Sequence, residues 1–257
     1  MAWKTSDEQG EPEYFRTRHA CLERINALLD GTEGNALLAF DFPLGYPAGS
    51  GLGGGYEAGQ KIARYLETDA RNGNNRFQVA NLLNGQFSPQ AGPFWGRPKA
   101  LDLPDLDWRK PPFRHDHFRE WRQVEAHLRA DGHKIMNVWQ LLGQGSVGSQ
   151  TLTGLDALYH LARSQGPDMP VRFWPFDTGW DKDLNGVILA ELWPSLTPSD
   201  AIDHPVKDAR QVTAARDWLL KHQEAGTLSA QFAAPDWLKE DERAASEKEE
   251  GWILGVR

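Results

Sequence analysis

The sequence predicts an α/β protein. Short apolar runs of strand length, at residues 36–40 and 186–193, stop at Pro, Gly or an acid, as strands covered on both faces do. Segments that read as helix lie between them, and that alternation makes a sheet clothed by helices.

Taken in order, residues 5–13 are polar, and Tyr14-Phe15 can close a short strand. Thr17 is placed to cap a helix running to about Leu29, which Asp30-Gly31 breaks. The strand at 36–40 runs into Asp41-Phe42-Pro43, where proline stops it and leaves the acid at its C-terminal end. Five glycines follow between 49 and 55, then a helix over 56–69. Residues 71–134 are polar, with proline clusters at 89–98 and 104–112 and one helix at 118–130. Lacking a periodic apolar core, they read as a loop-rich insertion or lid within a single domain spanning 1–257. Strands are expected at 135–142, 171–176 and 186–193, and helices at 149–164, 208–225 and within the acidic run 236–250.

Composition bounds the function. With 40% hydrophobic and 25% charged residues among 257, the chain is ordinary globular material, and eleven Trp with eleven Phe supply large core anchors. A net charge of −8 argues against coating nucleic acid non-specifically, which needs a dense cationic surface. It does not argue against a cation-dependent enzyme, whose acid cluster makes a protein acidic anyway. The lone Cys21 excludes an intrachain disulfide and a cysteine-built zinc cage, and its helical setting predicts a small buried hydrophobe. No apolar run approaches 18 residues and the first residues lack a signal-peptide core, so a cytoplasmic protein without a membrane partner is expected.

Three acids stand apart from the solvated ones. Asp41 ends an apolar strand, Glu191 interrupts another, and Asp208 opens a long helix whose N-terminus favours negative charge. Asp41 also suits an Asx-type turn and Asp208 a plain helix acid. Brought to one sheet edge, the three would bind Mg²⁺ or Mn²⁺ through a few carboxylate oxygens plus water.

A second feature is the G-x-G-x-x-G run Gly143-Gln144-Gly145-Ser146-Val147-Gly148, between an expected strand and helix. A dinucleotide site also wants an acid about twenty residues on, ending the next strand. Asp168 precedes that strand and Asp177 lies too far along, so a tight turn or a loop approaching some phosphate is the stronger reading. Arg76 and Arg97, in polar-aromatic loops, are placed to hold phosphate or carboxylate, or to pack over aromatic rings. His115 and His117 read as an exposed helix N-terminus rather than metal ligands. Neither G-x-S-x-G nor H-E-x-x-H occurs.

Five segments, residues 40–47, 74–77, 92–96, 138–154 and 249–255, together make the chain resemble an uncharacterised bacterial family related to predicted ribonuclease-H-like nucleases. Members are sometimes labelled as cobalamin-biosynthesis or molybdopterin-guanine-dinucleotide proteins. The resemblance covers nearly the whole chain and implies a ribonuclease-H-like mixed sheet flanked by helices. It matches Asp41 to the acid of a D-x-P-x-G pattern, Glu191 to that of E-x-x-P, and Asp208 to the acid of a late helix. The family opens with an Asp-Trp-Ser-Ala strand that has no counterpart here. Either the start lies upstream or one metal ligand is lacking, in which case the chain is inactive.

The expectation is therefore a cation-dependent phosphodiester or phosphate-ester hydrolase. Asp41, Glu191 and Asp208 would be both its ligands and its catalytic groups. Gly143, Gly145, Ser146, Gly148, Arg76 and Arg97 would position a phosphate-containing small molecule or a nucleic acid. The alternative is a non-catalytic nucleotide- or cofactor-binding protein in cobalamin or molybdopterin metabolism.

Overall fold

Three parallel strands, order β1-β3-β2, form the sheet of the computed structural model, which describes residues 1–6, 8–87, 92–167, 169–180 and 184–257. β1 is Ala36–Phe40, β2 is Val171–Phe173 and β3 is Val187–Glu191. The helices are α1 (Arg18–Asp30), α2 (Gly55–Ala63), α3 (Arg76–Gln86), α4 (Gln123–Ala130), α5 (Val147–Ser164), α6 (Lys207–Glu224) and α7 (Glu240–Ala245), the last running into a π turn at Ser246–Glu250. Among the described residues the sheet is wholly parallel, not the mixed sheet expected, and no helix is long and apolar enough to cross a membrane.

β3 is the central strand and every residue of it is buried, as a strand with a neighbour on each side and both faces covered must be. Successive side chains alternate faces. Val187 and Leu189 join a core with α1, α2, α3 and α5, while Ile188 and Ala190 join a second core built around Trp174, Trp180, Trp252 and Phe232. Each fully buried aliphatic side chain contributes roughly 1.5–3 kcal/mol. β1, at the sheet edge, is only half-buried.

Several expected boundaries hold closely. Thr17 caps α1 by accepting the Ala20 amide, and β1 ends at Phe40. Other expectations fail, the short strand at Tyr14-Phe15 among them. Residues 135–142 form no strand; their bridge is to Trp95 at Gln140, with backbone bonds between Trp95 and both Trp139 and Leu141. The helix expected over 118–130 starts only at Gln123, and α3 was not anticipated because its apolar residues lie in a polar, glycine-flanked stretch. The supposed lid also lies within the core: Phe77, Val79, Leu83, Phe94, Leu106 and Phe118 all pack into the first cluster.

α2 and α5 cross closely because Gly59 has no side chain. A Cβ there would stand 2.7 Å from the Leu155 carbonyl oxygen. Gly59→Ala should therefore push the helices apart and cost about 1–3 kcal/mol. Urea denaturation against Gly166→Ala, whose added Cβ would meet nothing within 4 Å, provides the check.

Candidate active site at the carboxyl edge of the sheet

The parallel register pairs Phe40 with Glu191, so Asp41 leaves the sheet one step beyond Glu191's neighbour. Open α/β sheets bind ligands at this edge. Asp208 reaches it from the first turn of α6.

Glu191 cannot stay there as an unpaired charge, since it is only 4% exposed. Its two oxygens accept one hydrogen bond each from Nη1 and Nη2 of Arg122, both at 2.7 Å, a bidentate pair. The Leu44 amide lies 3.4 Å from Oε2. Arg122 is itself wholly buried and donates further, from Nε to Glu125 Oε1 at 2.9 Å and from Nη1 to the Glu250 carbonyl at 3.0 Å. The Glu250 carboxylate accepts the amides of Ala48 (2.9 Å) and Gln123 (2.6 Å). One guanidinium thus serves two buried carboxylates, from α4 and β3, and a backbone carbonyl of the π turn.

Burial raises proton affinity in this cluster. Burial pushes Glu125 up to about 7, with Arg122 pulling the other way. Burial also raises Glu250, opposed by its two amide donors and by Arg122. Asp41 is pushed up to about 7, first by desolvation and then by the negative charges of Glu191 and Asp208. Its surface is nonetheless open to solvent, and the water it keeps tempers that rise.

The three sequence-predicted acids therefore converge, yet not as three ligands. Both Glu191 oxygens are spent on Arg122, and among the described residues no three His, Cys, Asp or Glu side chains are gathered to hold a metal ion. The expectation of Glu191 as a third ligand is corrected: both its oxygens are bonded to Arg122, beside Asp41 and Asp208.

The glycine run also departs from expectation. Gly143 and Gly145 take left-handed backbone angles and Gly148 lies against the Val138 and Gln140 carbonyls, but no sheet strand feeds the loop. Its interior is filled by Gln140, whose Nε2 donates to the carbonyls of Leu142 (3.1 Å) and Gln144 (2.9 Å). Ser146 sits at the N-cap of α5 without a side-chain cap bond. Arg76 does reach this region, donating to Ser149 Oγ at 2.9 Å and Asn74 Oδ1 at 3.0 Å while covering Phe77. Arg97 does not; it is a strut between the carbonyls of Leu106, Pro98 and Lys99. Asp177 caps its own turn by accepting the Phe173 amide, and Asp168 lies outside the described residues. His115 is buried and stacked on Phe118, contrary to the exposed setting expected, and His117 packs edge-on to the same ring. Burial raises the Cys21 thiol, which disfavours a reactive thiolate.

Arg122, Glu125 and Glu250 do not stand out in the sequence. Arg122 and Glu125 lie in a charged stretch that looks solvated, and Glu250 ends an acidic run. The one available signal is position: Glu250 directly precedes the apolar Gly251-Trp252-Ile253-Leu254, much as Glu191 sits inside a buried strand.

Arg122→Met should cost about 3–5 kcal/mol by stranding Glu191 and Glu125. Adding Glu191→Gln should recover part of that loss, as measured by urea denaturation. For Asp41, the folded state holds a proton more tightly than the unfolded chain, so its contribution to stability falls as pH rises from about 4 to about 7. Asp41→Asn should raise Tm at pH 8 and leave it nearly unchanged at pH 4. No protein-family model matches this chain, and no curated protein or solved structure matches it either.

Proposed function

We propose that the chain is a phosphate-ester hydrolase of reduced ribonuclease-H-like type, working through Asp41 and Asp208 at the carboxyl edge of the sheet. The observation that carries this reading is the meeting of Asp41 and Asp208 at the carboxyl edge, where desolvation first and the neighbouring acids second push the Asp41 carboxyl up to about 7. Such a place is short of positive charge and favours taking up a proton or a cation. Mg²⁺ or Mn²⁺ binds through one or two carboxylates and keeps several waters, so Asp41 and Asp208, both solvent-facing, fit it; Glu191, held by Arg122, does not. When bound, the ion would offset phosphate charge and acidify a bound water.

The chain's own residues supply the rest. Asp41 gains or loses a proton near neutral pH, the range in which a general acid or base is most effective. Arg122 fixes Glu191 one register step from Asp41. The net charge of −8 favours a small phosphate ester over a long nucleic acid. The alternative of a nucleotide held by the Gly143–Gly148 loop is less favoured, because Gln140 already occupies that loop's interior.

Carboxyl-carbon NMR titration of Asp41, with and without Mg²⁺, tests the proposal together with hydrolysis of bis(p-nitrophenyl) phosphate. Asp41 should titrate near neutrality, Mg²⁺ should lower its midpoint, and Asp208→Asn should lower it without metal. Asp41→Asn should reduce Mg²⁺-dependent hydrolysis at least 100-fold. A midpoint near 4 that Mg²⁺ leaves unmoved would sink the reading.

A further inference from the structure

Two tryptophans beside the second core differ from the others there. Trp174, Trp180, Trp237 and Trp252 meet one another or Phe232 ring to ring. Trp193 and Trp218 are half-buried, and the only ring each meets among the described residues belongs to a histidine turned edge-on. His133 lies 5.6 Å from Trp193 at 80°, and His222 lies 4.6 Å from Trp218 at 67°. Their indole N–H groups meet no acceptor among the described residues. Those of Trp174 and Trp252 donate to the carbonyls of Trp180 and Val256, at 3.2 and 2.9 Å.

Both unpaired indoles line one cavity of about 260 Å³, together with Leu192, Leu196, Leu254 and Val256. Its place is the carboxyl edge, since Leu192 and Trp193 directly follow Glu191 at the end of β3. Ligands of open α/β sheets sit outside the carboxyl ends of the strands. Pockets for drug-sized molecules run to roughly 300–1,000 Å³, so this one suits a smaller body of one or two rings. Asp131 and Arg257 also line it with opposite charges, so the lining selects for neither sign. The Trp218 wall is set by Gly255, at φ +85°, where a Cβ would stand 2.8 Å from Trp218 Cη2. An indole face attracts another ring, and an indole N–H seeks an acceptor in reach of its edge. An aliphatic chain offers neither.

We propose that this cavity is a binding site for a neutral, planar heteroaromatic group of one or two rings, held against Trp193 and Trp218. It goes beyond the hydrolase reading and does not depend on it.

Adenine titrated into the full chain without Mg²⁺, followed by NMR of the indole N–H signals, is the test. Binding should saturate, with the largest indole shifts at Trp193 and Trp218. Trp193→Leu and Trp218→Leu should each weaken it at least five-fold, whereas Phe at either position keeps a ring face and should stay within about three-fold. Trp108→Leu removes an exposed tryptophan outside the cavity, covered by Lys99 and Arg109, and should match wild type. The proposal is overturned by a shift that does not saturate, by unchanged binding in Trp218→Leu, or by equal affinity for cyclohexanol or tetramethylammonium. Adenine carries no phosphate and the titration uses no metal, so loss of the hydrolase reading would leave this result standing, and the converse holds too.

Discussion

The buried Arg122 guanidinium is the constraint around which the carboxyl edge is organised. A charge with no solvent exposure is tolerable only when its donors are met, and here Glu191, Glu125 and the Glu250 carbonyl meet them. Those partners come from the end of the central strand, from α4 and from the π turn. The interaction therefore decides where three otherwise separate pieces of chain must lie. It also consumes the acid that the sequence makes most conspicuous, leaving Asp41 and Asp208 as the solvent-facing remainder.

The effect on the site is electrostatic. Asp41 holds its proton more tightly first because it is desolvated and then because Glu191 and Asp208 lie beside it. A structure that placed only apolar residues behind Asp41 would raise its proton affinity by desolvation alone. Here Glu191 and Asp208 add to it, which links proton affinity to the same contacts that hold the fold together.

Much of the scaffold was legible from local pattern. Ala36–Phe40 and Val187–Glu191 are apolar runs of strand length, and Thr17 carries the side chain its helix start requires. The convergence of Asp41 and Glu191 is a consequence of both acids ending strands at the same side of a parallel sheet. Residues 135–142 misled because an apolar run does not reveal whether a neighbouring strand exists to pair with it. Arg122 was illegible for a different reason: nothing in Trp121-Arg122-Gln123 distinguishes a buried arginine from a solvated one, and two of its partners lie 69 and 128 residues away. Likewise the 143–148 glycines matched a phosphate-loop pattern, while the loop joined to a strand lies at 49–55, where no standard spacing drew attention.

Those long separations also bear on the order in which the molecule can assemble. Arg122 emerges in the nascent chain long before Glu191, and longer still before Glu250. Until the last turn docks, a full positive charge has no complete set of acceptors and favours water over the interior. Packing around α4 therefore depends on contacts that residues far along the chain supply.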